Sequence, residues 1–134
     1  MLIEAYFQQV RDLIESYEIV AFFKLNDDKR GLYEGFIRGQ IGFKDRSCLH
    51  VREFVDVEVV IDRKMYSYQY MDADNRLIFH YDNTHHHQKL NLPNFPHHKH
   101  EGSEDTVVSS NAPFLAAVLE EIALSDRFPH NSLD

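Results

Sequence analysis

Apolar residues recur at helical spacing over residues 2–16, with Leu2, Tyr6, Phe7, Val10, Leu13 and Ile14 on one side and Gln8, Gln9, Arg11, Asp12 and Glu15 on the other. From Ile19 to Asp82 the period falls to two. Ile19–Leu25 is a short apolar run, closed by a turn over residues 26–31. Over Tyr33–Phe43, Tyr33, Gly35, Ile37, Gly39, Ile41 and Phe43 share a face opposite Glu34, Phe36, Arg38 and Gln40. The glycines on that face suggest a neighbouring element that packs close or bends. Over Leu49–Val60, Leu49, Val51, Val55, Val57 and Val59 oppose His50, Arg52, Phe54, Asp56 and Glu58. Glu53 falls on the apolar side, where it must find a partner or mark a bulge. After a turn at 62–64, Met65–Met71 sets Tyr66, Tyr68 and Tyr70 on one face, a spacing that fits cross-strand packing before a base-stacking platform. A turn at 72–75 leads to Arg76–Asp82, where Leu77, Phe79 and Tyr81 oppose Arg76, Ile78, His80 and Asp82.

Residues 83–110 lose all period, are polar and histidine-rich, and predict a long loop of the kind that carries function or stays disordered. Asn111–Leu124 predicts a second helix with Pro113 in its first turn and a stripe of Phe114, Leu115, Val118, Leu119 and Ile122. The expected fold is α+β: an N-terminal helix, a five-stranded antiparallel meander, a His-rich loop and a C-terminal helix, with both helices on one sheet face. One domain over residues 1–125 and a flexible tail over 126–134 are expected.

Composition narrows the function classes. A single Cys48 excludes an internal disulfide framework and a cysteine-based zinc cluster. No apolar run approaches the roughly 20 residues that span a bilayer, and the N-terminus carries no signal-peptide pattern, so a cytoplasmic protein without membrane partners is expected. The formal net charge of −8 counts against generic nucleic-acid binding, unless Arg38, Arg52 and the histidines gather on one face.

Seven of the nine histidines fall between His80 and His100, which marks that window as the candidate working part. If helices cover the apolar face of the sheet, the other face carries Arg38, Arg52, His80 and Asp82, and a loop folding back would add the remaining histidines. Three chemistries fit. Metal-free cleavage of an RNA phosphodiester needs a base, an acid and a cation, which histidines and arginines supply, with a tyrosine to stack a base. Metal binding is the second, through His85-x-His87 and His98-x-His100 with Asp82 as an oxygen donor, for a divalent transition ion such as zinc. A non-catalytic binding module built on the His-rich loop is the third.

The ordered motifs Tyr33-Glu-Gly-Phe-Ile-Arg-Gly, Arg52-Glu-Phe-Val-Asp, Tyr66-Ser-Tyr-x-Tyr-Met-Asp-Ala-Asp, Phe79-x-Tyr-Asp-Asn-x-x-His-His and Phe95-Pro-His-His-Lys-His resemble the TumE family of type II toxins across residues 3–124. The resemblance implies a toxin neutralised by a cognate helix-turn-helix antitoxin, with RNA as substrate. The positions that match the family's polar motifs are Arg38, Arg52, Glu53, Tyr68, Asp82, Asn83, His86, His97, His98, Lys99 and His100. The triple His85-His86-His87 adds a histidine to the family's usual pair, and the acidic balance differs from that of ribosome-directed toxins. The expected site has His98 and His100 as acid and base. Asp82 orients a histidine, His80 stands beside them, and Arg38, Arg52, Lys99 and Tyr68 hold substrate. No cofactor is expected unless the metal chemistry applies.

Overall fold

The computed structural model describes residues 1–84 and 94–129. Helix α1 (Ile3–Glu15) leads into strands β1 (Val20–Lys29), β2 (Glu34–Phe43), β3 (Cys48–Asp56), β4 (Asp62–Met71) and β5 (Leu77–Asp82), followed by β6 (His98–Glu101), β7 (Val107–Ser109) and helix α2 (Leu115–Ala123). The strands form one sheet in chain order, β1 to β7, and every neighbouring pair is antiparallel. The expected α+β meander is present, with seven strands where five were expected.

The added strands come from the segment read as loop. In β6, His98 and His100 point to one side and Lys99 to the other, so the period of two is there, but with polar residues on both sides. Hydropathy cannot register a strand of that kind. The other differences are of boundary. Asn26–Lys29 continues β1, because β2 offers partners as far as Gly35, and the hairpin turn is correspondingly shorter than the expected 26–31. Asp62–Lys64 belongs to β4, whose pairing with β3 shifts register between Phe54 and Val55. Pro113 lies outside α2, because Ala112 at φ 52° reverses the chain first and Phe114 caps the helix. Within the expected tail, Phe128 packs on Phe43 with ring centroids 6.1 Å apart, and Arg127 reaches Asp45.

Both helices cover the same face. Ile3, Tyr6, Phe7, Val10 and Ile14 of α1 and Leu115, Val118, Leu119 and Ile122 of α2 join Ile37, Ile41, Leu49, Val51, Val55, Tyr66, Tyr68, Tyr70, Phe79 and Tyr81 of the sheet in one core. Gly39 permits the close crossing of β1, since a Cβ there would lie 1.8 Å from the Lys24 carbonyl oxygen. Gly35 leaves room for Phe7 of α1 in the same way.

Glu53 is the charged residue of this core. Its carboxylate accepts hydrogen bonds from the hydroxyls of Tyr6 and Tyr68. Arg63 donates to the Tyr68 hydroxyl at 3.1 Å, and to the carbonyls of Pro113 and Ala112 at 2.7 and 2.8 Å. The guanidinium also lies 4.1 Å from the Tyr66 ring centroid and 3.9 Å from that of Phe114. This network ties α1, β3, β4 and the approach to α2, and it satisfies a carboxylate that burial alone would penalise.

Candidate active site on the open face of the sheet

Register puts the functional side chains of the uncovered face into two rows. Asn26, Arg38, Arg52, Ser67, Asp82 and His98 stand opposite one another from β1 to β6. Lys24, Gln40, His50, Gln69, His80 and His100 form the adjoining row. Neighbouring strands are about 4.8 Å apart, so Arg52 and Asp82, two strands apart, are roughly 10 Å from each other along the sheet.

At one end the face is basic. Arg38 and Arg52 are exposed and directly opposite each other, and neither guanidinium bonds to a side chain among the described residues. Like charges in that relation destabilise a sheet, and an anion bound between them would relieve the repulsion. A cleft of about 530 Å³ opens beside them, lined by Arg30, Phe36, Arg38, Arg52 and Met65 and by the acidic Asp27, Asp28 and Glu53 among others, with Asp28 paired to Arg30 at 2.9 Å. The rings of Phe36 and Phe54 stack on this face at 4.4 Å and 21°, with Arg30 5.2 Å from the Phe36 centroid. Lys24 and His50 extend the basic lining on the other side of the arginines.

At the other end stands a carboxylate among imidazoles. Asp82 is 5% exposed, and its Oδ1 lies 2.6 Å from His98 Nε2 while Oδ2 lies 3.3 Å from His80 Nε2. Carbonyl groups can only accept, which fixes the ring orientations. His98 donates from Nδ1 to the Pro96 carbonyl at 2.9 Å, and His100 from Nδ1 to the Glu104 carbonyl at 2.8 Å. His80 turns Nδ1 to the Glu104 carboxylate at 3.2 Å, and its Nε2 lies 2.7 Å from the Ser67 hydroxyl. The His80 and His100 rings stack at 5.2 Å, and His98 meets His100 edge-on at 4.9 Å.

The structure therefore brings Arg38, Arg52, His80, Asp82, His98 and His100 onto one face. The histidines arrive there as part of a strand, however, and not by a loop folding over the sheet. Two expected substrate contacts lie elsewhere. Tyr68 is fully buried on the helix-covered face, where Glu53 occupies its hydroxyl. Lys99 alternates away from His98 and His100. Burial opposes its charge, but Tyr81 and Glu121 outweigh that and hold its pKa well above the ordinary lysine value. His97 also faces the covered side, where its Nδ1 meets the Tyr66 hydroxyl at 2.8 Å; burial and then Arg63 hold its pKa below the histidine norm. His85 and His87 of the expected metal set lie outside the described residues.

Sequence reasoning missed Phe36, Phe54, Ser67 and Glu104. The first three share the alternation that carries Arg38 and Arg52 and were open to the same inference. Glu104 gave no signal, because only the β6–β7 hairpin returns it to His80 and His100.

Residues 10–125, which contain every side chain of both rows, match the family model described as toxin TumE. The chain belongs to the TumE toxin family. An antitoxin partner follows from membership of a toxin family. No curated protein and no solved structure matches the chain. Among the described residues of this TumE-family toxin, no helix is long and apolar enough to cross a membrane.

Proposed function

We propose that this toxin cleaves RNA on the open face of its sheet, in the cytoplasm, and that a helix-turn-helix antitoxin neutralises it. The observation that carries the proposal is the pair Arg38 and Arg52, opposed across β2 and β3 without a carboxylate partner among the described residues, in the same row as the Asp82–His98 pair. Two guanidinium forks suit the non-bridging oxygens of a phosphodiester. The stacked Phe36 and Phe54 offer an aromatic surface for an unpaired base beside that phosphate. The acid and base for transfer from the 2′-hydroxyl come from the histidine cluster, either as imidazole or as water held by it. Within the cluster His98 engages Pro96 and Asp82 with its two nitrogens, so its role is to hold Asp82 in place. His80, with 17% of its side chain exposed, and His100 carry the proton transfer.

Purified toxin incubated with a single-stranded RNA oligonucleotide tests this. Wild type should cleave it, leaving cyclic phosphate ends, and an oligonucleotide lacking the 2′-hydroxyl at the cleavage position should resist. The Arg38→Ala, Arg52→Ala double variant should lose about 100-fold or more, the scale of a removed transition-state charge contact. Undiminished cleavage by that variant while folded, or none by wild type, rejects the proposal.

A further inference from the structure

Three imidazoles surround Asp82, and each ring has its Nδ1 committed outward: His80 to the Glu104 carboxylate, His98 to the Pro96 carbonyl and His100 to the Glu104 carbonyl. A neutral ring that donates from Nδ1 carries its lone pair on Nε2. That makes Nε2 the ligand atom at His80 and His100, whereas His98 turns Nε2 to Asp82 Oδ1 at 2.6 Å. At His80, Nε2 lies 2.7 Å from the Ser67 hydroxyl, a group able to donate to that lone pair. Rings held by a carboxylate or a backbone carbonyl on the far nitrogen are how proteins prepare histidine for a metal. His80, Asp82 and His100 offer donor atoms that all lie within 4.8 Å of one another. Around an ion with bonds of about 2.1 Å, tetrahedral neighbours are roughly 3.4 Å apart, so small side-chain rotations close the set.

We infer that His80, Asp82 and His100 form a binding site for one divalent first-row transition metal ion. Two imidazoles and a carboxylate select this class over magnesium or calcium, which require oxygen ligands throughout. Asp82 binds through Oδ2, the oxygen beside His80, while His98 holds Oδ1. The strands fix the arrangement: His80 pairs with His100 and Asp82 with His98, so the ligands occupy corners of a two-by-two grid on rigid backbone. Three protein ligands leave positions for water or a phosphate oxygen, as in catalytic sites and unlike closed structural ones. The inference rests on the proposal that this face is the active one; with an ion bound, His80 and His100 serve as its ligands and metal-held water replaces their imidazoles as the base.

Purified full-length protein, stripped with a chelator and dialysed, would be titrated with zinc in a calorimeter and with cobalt by visible absorption. One equivalent of zinc is expected, with an intense cobalt d–d spectrum. Asp82→Asn and His100→Gln should weaken zinc binding by about 100-fold or more. Glu104→Gln, at an exposed carboxylate that touches the rings only through Nδ1, should keep the fold and weaken binding by about 10-fold. His85→Ala with His87→Ala should leave the equivalent intact. The inference fails if folded wild type takes up no ion. It also fails if the His85, His87 variant loses the ion while Asp82→Asn and Glu104→Gln retain it. Stoichiometric metal without RNA cleavage overturns only the ribonuclease proposal. Cleavage by metal-free protein that binds no ion overturns only the metal site.

Discussion

Glu53 and Asp82 are both buried carboxylates on the same sheet, one on each face, and their surroundings separate structure from chemistry. Glu53 is held by phenol hydroxyls of Tyr6 and Tyr68, with Arg63 behind Tyr68. Phenols do not titrate near neutral pH, and they are poor ligands for a divalent ion, so that cluster can only hold the helices to the sheet. Asp82 is held by imidazoles, which exchange protons and accept metals near neutrality. The physical problem is the same, a buried charge that needs donors, and the choice of donor decides whether the solution is inert or reactive. If this contrast is right, substitutions on the covered face change stability, and substitutions on the open face change activity.

The largest stability effect is expected at Arg63. Removing the guanidinium leaves the carbonyls of Ala112 and Pro113 and the Tyr68 hydroxyl without their donor and strips a cation from the Tyr66 and Phe114 rings. Arg63→Ala should cost about 3 kcal/mol in urea unfolding, the sum expected for buried polar groups left unmet. RNA cleavage per folded molecule should stay near that of wild type. A variant that folds with wild-type stability would break the contrast from the structural side.

Tyr68→Phe comes next, at about 1–2 kcal/mol at neutral pH, because one hydrogen bond to Glu53 is lost. The same network sets an alkaline limit. Burial, and then Glu53, push the pKa values of Tyr6 and Tyr68 far above the phenol norm, and burial pushes Tyr66 up to about 12. The folded state thus holds phenolic protons that the unfolded chain releases near pH 10. Their contribution is complete below that pH and is lost as pH rises from about 10 through 12 and beyond. Unfolding and tyrosine ionisation at 295 nm should therefore coincide in wild type, and Tyr68→Phe should make the stability loss above pH 10 shallower. Ionisation near pH 10 with the fold intact would show that these hydroxyls are not held as described.

The covered face was legible in the sequence, whereas the open face was so only in part. Alternation of Ile37, Ile41, Val51, Val55, Tyr66 and Tyr70 follows from burial, and burial leaves a period. That same period placed Arg38, Arg52, His80 and Asp82 together, because whatever is not turned inward must share the other side. It misplaced Tyr68 and Lys99, for different reasons. A substrate role for Tyr68 conflicts with its own alternation, which turns it into the core. Lys99 sits in a strand with polar residues on both sides, where the face cannot be told without knowing the partner strand. Glu53 was visible as an anomaly on an apolar face, but its partners are distant in sequence: Tyr6 is 47 residues away. The ring orientations of His98 and His100 depend on backbone carbonyls in flanking turns, which composition and spacing do not report.

The smallest stability effect is the sharpest test of the contrast. Arg52 is exposed, opposes Arg38 across the strands and has no carboxylate partner among the described residues. An arginine placed to hold a fold would be paired; one placed to hold a phosphate leaves the free protein with an uncompensated repulsion. Arg52→Ala should therefore leave unfolding free energy within about 0.5 kcal/mol of wild type, or raise it slightly, as surface substitutions that relieve like-charge opposition do. RNA affinity should fall, and its dependence on salt should become less steep by about one counterion. The pair of measurements matters more than either one. Lost stability with unchanged RNA binding would put Arg52 on the structural side and remove the phosphate cradle. Unchanged stability with a flatter salt dependence would separate the two faces of the sheet by function, as the surroundings of Glu53 and Asp82 separate them by chemistry.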